Sequence, residues 1–181
     1  MGHPLLRMRS EKVNDPASNE VKRLVSNMIS TLNHAKGAGL AAPQVGVLKR
    51  VVIFRVPKER IKEERNPNIV DLTVLVNPKI KILTKKKEMG WEGCLSVPGL
   101  RGIVSRFYSV RYSGYTTDGK KIIREAKGFH ARVVQHECDH LAGVLYPMRM
   151  KDMSSLSFTD QLDPEASDLV QARLDTAGSI R

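Results

Sequence analysis

The hydrophobic positions change their period along the chain. Between Ser18 and His34, the residues Val21, Leu24, Val25, Met28, Ile29 and Leu32 recur at three- and four-residue steps, which is one helical stripe. Ser18 can cap its first turn behind Asp15-Pro16, and Gly37 and Gly39 end it and open a loop. Val51 to Val56 is a β-branched run and predicts a strand. Pro57 to Asp71 is charged, holds Asn66-Pro67-Asn68, and reads as an exposed loop. Thr73 to Thr84 is rich in Val, Ile and Leu but is interrupted by Asn77-Pro78, which predicts a strand, a turn or bulge, and another strand. Ile103 to Tyr115 alternates loosely up to Asp118-Gly119, a hairpin signal, and Lys120 to Ala126 would return. From Gly128 to Leu141 the helical period comes back through Phe129, Val133, Val134, Cys138 and Leu141, with Gly143 at the stop. After Lys151 the chain turns polar, and Asp163-Pro164 could start a short last helix. The order of helix, several strands and helix predicts an α+β fold with mostly antiparallel sheets. We place one domain over 1–160 and a polar C-terminal tail over 161–181.

Composition narrows the class. The chain has 181 residues, of which 41% are hydrophobic, enough for a core of its own. Aromatics are only 5%, so Val, Leu, Ile, Ala and Met must fill that core. Lys plus Arg is 30 and Asp plus Glu is 19, giving 30 − 19 = +11, a balance that favours polyanions such as RNA or an anionic membrane. The two cysteines, Cys94 and Cys138, are too few for a disulfide scaffold and point to a reducing compartment. No apolar run approaches the ~20 residues of a membrane span, so no membrane partner is expected. Met1 to Arg7 lacks the apolar core of a secretory signal. A bacterial cytosol is the simplest location, with mitochondrion or plastid as alternatives if a transit peptide was removed. The oligomeric state stays open.

The chemistry concentrates in His136-Glu137-Cys138-Asp139-His140. On a helix, residues i and i+4 project from one face, so His136 and His140 can hold one metal ion. Glu137 sits about 100° around the helix, where it can reach a water beside the ion without being a ligand. Cys138 belongs to the apolar stripe on the other side. Catalytic sites of this kind usually have three protein ligands. The downstream position that holds the third histidine in one protease class is Tyr146 here, and Glu165 is the only Glu after Glu137. The best remaining candidate is upstream, Cys94, in Glu92-Gly93-Cys94-Leu95-Ser96. A free cysteine acting as a small hydrophobe is the competing reading. Flanking Gly93 and Val97-Pro98-Gly99 suggest an irregular loop with a turn there. A third segment, Gly37 to Gln44, has small residues that let a backbone approach closely, and Gln44 offers an amide that could hold an oxyanion.

Together the three segments resemble the signature motifs of the peptide deformylases. Gly37 to Gln44 is similar to the family's Gly-φ-Gly-φ-Ala-Ala-x-Gln, Glu92 to Ser96 to its Glu-Gly-Cys-φ-Ser, and Gln135 to Gly143 to its Gln-His-Glu-φ-Asp-His-φ-x-Gly. The resemblance covers roughly residues 2 to 150. It implies antiparallel sheets around a central helix that carries the histidines. It implies removal of the formyl group from the N-terminal formyl-methionine of nascent polypeptides, with release of formate. It implies one divalent ion on Cys94, His136 and His140, with Fe(II) native and Zn(II), Ni(II) or Co(II) as substitutes. The implied roles are Glu137 as general base, and Gln44 with the Leu95 backbone N–H as oxyanion donors. Gly39 and the loop Gly93 to Leu95 would pair with the peptide backbone. A methionine pocket would be lined by Val133, the stem of Arg132, and Glu92-Gly93. Arg132 departs from the aliphatic residue of many bacterial members, and it could instead face solvent and pair with an acid. Cys138 replaces another aliphatic residue and could make the protein prone to oxidation. Asp139 could orient a ligand histidine or form a surface salt bridge.

Two other classes stay open. One is a metallopeptidase that cuts internal peptide bonds. The other is a basic binding protein with a structural metal site, for which the +11 charge is the support. An active deformylase could also use its basic surface to dwell near ribosomal RNA.

Overall fold

The computed structural model describes residues 1–58 and 69–162. The first stripe forms helix α1 (Asn19–His34), and the Ser18 side chain caps it by accepting the Val21 N–H. Its buried residues are Val21, Val25, Met28 and Leu32. Strands follow as β1 (Gly39–Ala41), β2 (Val51–Val56), β3 (Val70–Ile82), β4 (Lys87–Cys94), β5 (Val97–Phe107), β6 (Ser109–Tyr115) and β7 (Lys121–Lys127). Helix α2 (Gly128–His140) comes next, and a short β8 (Ser157–Phe158) closes the described part. The strands form two antiparallel sheets, β1-β2-β3-β6-β7 and β4-β5-β8.

Helix α2 lies between the sheets. Ala131, Val133, Val134 and Leu141 pack against Val52, Phe54, Leu75, Val110 and Tyr112 of the larger sheet. Val97, Val104, Leu145 and Tyr146 form a second cluster on the smaller sheet. A helix covered on both sides must bury polar residues as well, and His130, Arg132, Glu137 and His140 are all buried. Helix α1 covers part of the opposite face of the larger sheet, where Val51, Ile53 and Val76 meet its stripe. No helix among the described residues is long and apolar enough to cross a membrane.

Three expectations change in detail. Thr73 to Ile82 lie in one strand with a bulge rather than two strands, and the register shifts between Val76 and Lys79. Asn77 takes φ +54° there, a region that Asn tolerates better than most residues. Its buried amide accepts from Val13 N at 2.9 Å and donates to Val13 O at 2.8 Å, so the bulge ties down the N-terminal segment. Val70 and Asp71, read as loop, start β3 instead. Ile103 to Tyr115 is not one strand, because the chain changes sheets at Tyr108, whose N–H bonds Lys86 O and whose carbonyl accepts from Gly128 N–H. The proposed last helix at Asp163-Pro164 lies outside the described residues, as does most of the loop before β3.

Candidate active site

Cys94 ends β4, and Leu95-Ser96 turns the chain directly into β5, where Val97 pairs with Cys94. The expected turn at Val97-Pro98-Gly99 is therefore part of β5. Three extra residues on the β5 side, between Val97 and Arg101, bulge out of the pairing, with Gly99 at φ +74°. The tight hairpin aims the Cys94 thiol at α2. Its Sγ lies 3.3 Å from His140 Nε2, and the ligand atoms of Cys94, His136 and His140 all fall within 4.8 Å of one another. Metal–sulfur and metal–nitrogen bonds near 2.3 and 2.0 Å in a tetrahedron put donor atoms roughly 3.3–3.5 Å apart. The three side chains thus fit one divalent ion, and a thiolate with two imidazoles suits the iron-to-zinc range. Downstream, the Tyr146 ring stacks on His136 with ring centroids 6.4 Å apart, so it packs against a histidine and does not complete a histidine triad.

The neighbouring groups are set by hydrogen bonding. Gln44 Oε1 accepts the Ala41 N–H at 2.8 Å, which fixes the amide and turns Nε2 toward Ser96 Oγ (3.1 Å) and Cys94 Sγ (3.5 Å). Glu137 is buried, and its Oε2 has no partner among the described residues. Burial pushes its carboxyl up to about 7. Gly39 in β1 packs directly on that carboxylate, and a Cβ at Gly39 would overlap it. Gly39, Gln44, Cys94, His136, Glu137 and His140 are thus brought together from three segments of chain.

The family model described as polypeptide deformylase matches residues 1–155. The chain belongs to the polypeptide deformylase family. It is 50% identical over 165 residues to peptide deformylase 1 of Bordetella pertussis, covering 91% of this chain and 93% of that one. It is 53% identical over 148 residues to peptide deformylase 2 of Ralstonia nicotianae, covering 81% of each. Among solved structures it resembles the class I type b peptide deformylase of Acinetobacter baumannii bound to Met-Ala-Ser. The TM-score there is 0.74 at 36% identity, with 82% of this chain and 95% of that one covered. The Ehrlichia chaffeensis peptide deformylase gives a TM-score of 0.76 at 28% identity, covering all of this chain and 95% of that one. The deformylase family is metal-dependent, and its members are hydrolases that remove the N-formyl group from nascent polypeptides, so this chain is such a hydrolase.

In this deformylase, a buried ionic network stands behind the histidines. Glu92 Oε1 accepts from Arg106 Nε (2.8 Å) and Arg132 Nη1 (3.0 Å), and Oε2 pairs with Arg106 Nη2 (3.0 Å) and His136 Nδ1 (2.8 Å). Burial would raise the Glu92 carboxyl, but the bonds from His136 and Arg106 outweigh it and hold it well below the usual carboxylate range. Burial likewise lowers His136, yet its bonds to Cys94 and Glu92 lift it well above an ordinary imidazole. An Nδ1–H given to Glu92 leaves Nε2 facing Cys94 and His140. Burial and the neighbouring His136 pull His140 down to about 3, so it stays neutral, the form in which an imidazole can bind a metal.

Several expectations meet this network. The resemblance places Glu92-Gly93 on the wall of the methionine pocket; the Glu92 carboxylate itself is committed to two arginines and a histidine. Arg132 pairs with an acid, as its alternative reading had it, but inside the protein and not in solvent. It is 8% exposed and donates to the carbonyls of Glu88, Gly90 and Val104 at 2.8, 3.2 and 2.7 Å. Gly90 is required beneath it, since a Cβ there would come within 2.7 Å of Arg132 Nη2. Val133 is buried on the same helix, and Leu95 is 44% exposed at the hairpin turn. Among the described residues the Asp139 side chain bonds neither His136 nor His140. It takes Arg106 Nη1 (2.6 Å) and Arg149 Nη2 (2.7 Å), and so reaches His136 only through Arg106 and Glu92. Cys138 faces away from the site, where burial pushes its thiol up to about 12, which argues against ready oxidation. Arg106 escaped the sequence reading. Its signal was parity, because it shares the inward side of β5 with Val104, where a cation needs a buried acid.

Proposed function

We propose that Glu137 carries the proton in deformylation, at a site where Cys94, His136 and His140 hold one divalent ion. The observation that carries this is the Glu137 carboxyl itself. It is buried, lacks a partner on Oε2 among the described residues, and is held near neutrality beside the three ligand side chains. When bound, the ion supplies a Lewis acid that polarises the formyl oxygen and acidifies water. Glu137 takes a proton from the attacking water and later delivers it to the leaving amine nitrogen, freeing formate and an amino terminus. Gln44 Nε2, aimed past Cys94, donates to the formyl oxygen as charge develops there, and the Leu95 N–H is the second donor. Gly39 and Gly93 to Leu95 align the peptide backbone. Val133, the stem of Arg132 and the backbone of Glu92-Gly93 line the methionine pocket. Fe(II) is the native ion in this reading, with Zn(II), Ni(II) and Co(II) as substitutes.

The test is formate release from a formyl-Met peptide with Fe(II)- or Ni(II)-loaded protein. Activity that is lost in Glu137→Ala while metal content is kept supports the assignment. Equal activity in both proteins overturns it. Formylated nascent chains are the macromolecular substrate, and we place the protein in a bacterial cytosol near ribosomal RNA. Pelleting with ribosomes across a salt series checks the last point.

A further inference from the structure

Helix α1 covers only part of its side of the five-stranded sheet. The rest, formed by the second half of β3 with β6 and β7, is uncovered by any other element among the described residues. The register sets which side chains share this face. Val110, Tyr112 and Ala126 point to α2, so the alternate residues point outward. Lys81 pairs with Arg111 and Arg111 with Glu125; Lys79 pairs with Ser113 and Ser113 with Ile123. Tyr115 pairs with Lys121, and Ser109 with Lys127. The outward face therefore carries Lys79, Lys81, Lys121 and Lys127, all exposed, with the Tyr115 ring among them at 38% exposure. Its one acid, Glu125, is engaged by Arg111 at 2.7 Å. Among the described residues none of the four lysines has a carboxylate partner. Four unpaired positive charges remain on this surface, two on β3 and two on β7, in successive rows about 7 Å apart along the strands, with the two strands about 10 Å apart across the intervening β6. A small hollow of about 110 Å³, lined by Asn77, Lys79, Ser113, Gly114, Tyr115 and Lys121, opens on this face.

We propose that this sheet face is a docking surface for the phosphate backbone of RNA. The charge pattern selects a polyanion, since a single small anion would not engage four separated lysines. The surface composition selects RNA over a membrane. Its outward apolar content is Ile123 and the Tyr115 ring, without the continuous apolar stripe that inserts between lipids. The half-buried Ser113 hydroxyl and the exposed Tyr115 suit phosphate and sugar contacts. The contacts are to the backbone, so binding is indifferent to sequence. The proposal gives a location to the ribosomal-RNA reading above but does not depend on the hydrolytic chemistry.

The test uses the full-length, metal-loaded protein and a fluorescein-labelled 20-base-pair RNA duplex in an anisotropy titration. Four phosphate contacts predict a slope of log K against log salt near −3 to −4, which is roughly a hundredfold loss between 50 and 200 mM salt. The quadruple Lys79→Gln, Lys81→Gln, Lys121→Gln, Lys127→Gln variant should lose most of that slope and bind at least tenfold more weakly at 50 mM. It should still release formate from a small formyl-Met peptide at the wild-type rate, which shows that the fold survived. A control variant loses the same charge elsewhere, at Lys12, Lys36, Lys58 and Lys151, and should keep most of the affinity. Equal losses in the two variants would overturn the proposal, because net charge and not this face would then bind. Loss of binding to phosphatidylserine vesicles with RNA binding intact would overturn it in favour of a membrane. Unchanged ribosome pelleting alongside lost duplex binding would keep the RNA face but separate it from the ribosomal reading.

Discussion

Gly39→Ala is a small change that should disable the site without unfolding the protein. The backbone at Gly39 is extended and in strand β1, so alanine is conformationally acceptable there. The obstacle is space. The added Cβ would lie 2.5 Å from Glu137 Cδ and 2.8 Å from Cγ, and would overlap the carboxylate oxygen. Restoring ordinary contact near 3.4 Å moves the carboxylate by about 1 Å. A catalytic group displaced by that much loses about 10²-fold in rate, or about 2.7 kcal/mol of barrier. The retreat also costs packing, on the order of 1–3 kcal/mol, which a stable domain survives. Gly37→Ala is the matched control. Its Cβ would meet the ends of the Leu32 and Leu95 side chains at 2.8 and 3.3 Å and the Gly39 carbonyl at 3.6 Å, rather than the Glu137 carboxylate. The assay measures kcat on a formyl-Met peptide, bound metal by elemental analysis, and Tm for both variants. We expect Gly39→Ala to keep its metal and melt within several degrees of wild type while kcat falls about a hundredfold, and Gly37→Ala to stay within a fewfold of wild type. A wild-type kcat in Gly39→Ala would refute the placement of Glu137 as the proton carrier.

Other positions give independent checks. Glu92→Gln turns an amide N–H₂ toward one of the two arginines that Glu92 now holds. It should destabilise the fold by about 3–5 kcal/mol in urea unfolding and weaken metal retention 10–100-fold in chelator competition, through His136. Asn77→Ala removes both bonds to Val13 and puts a Cβ-bearing residue without a polar side chain at φ +54°, so it should cost about 2–4 kcal/mol; Asn77→Gly relieves the strain and should cost less. His130 packs edge-on to Tyr112 in the core, and burial, helped by Arg124, lowers it to about 4. Its pKa is thus lower in the folded than in the unfolded chain, so it contributes nothing above pH 6.5. As pH falls from 6.5 to 4 the unfolded chain takes up a proton that the native one refuses, and up to about 3 kcal/mol is lost. The stability of His130→Phe should depend less on pH across that window, as read by urea unfolding at pH 7 and 4.5.

Much of this architecture could be read from the chain, and for physical reasons. Helix α1 was legible because it buries one face, so its apolar residues repeat with the helical period; strand β2 was legible as an unbroken β-branched run because both its faces are buried, Val51 and Ile53 toward α1 and Val52 and Phe54 toward α2. Strand β4 was not, since Gly90 and Gly93 interrupt it and Glu92 points inward. Each of those departures serves the site. Gly90 makes room for Arg132, and Glu92 receives Arg106, Arg132 and His136. The corner at Tyr108 was hidden because β5 and β6 follow each other without a turn residue. The candidate ligands were legible because helical spacing alone puts His136 and His140 on one face. Their support was not, since Glu92, Arg106 and Asp139 lie on three different elements and meet only through packing. Only the family resemblance put the stem of Arg132 on the methionine pocket. Its long reach to three carbonyls of the neighbouring strands is a tertiary fact that no local pattern carries.

The central claim is that Glu137 moves the proton while Cys94, His136 and His140 hold the ion. The most direct measurement pairs Fe(II)- or Ni(II)-loaded wild type with Glu137→Gln, scoring formate release and bound metal in the same samples. One ion per chain is expected in both proteins, with formate released by the wild type and almost none by the variant. Formate release that persists in Glu137→Gln with its metal bound, or wild type that binds no metal through Cys94, His136 and His140, would contradict it.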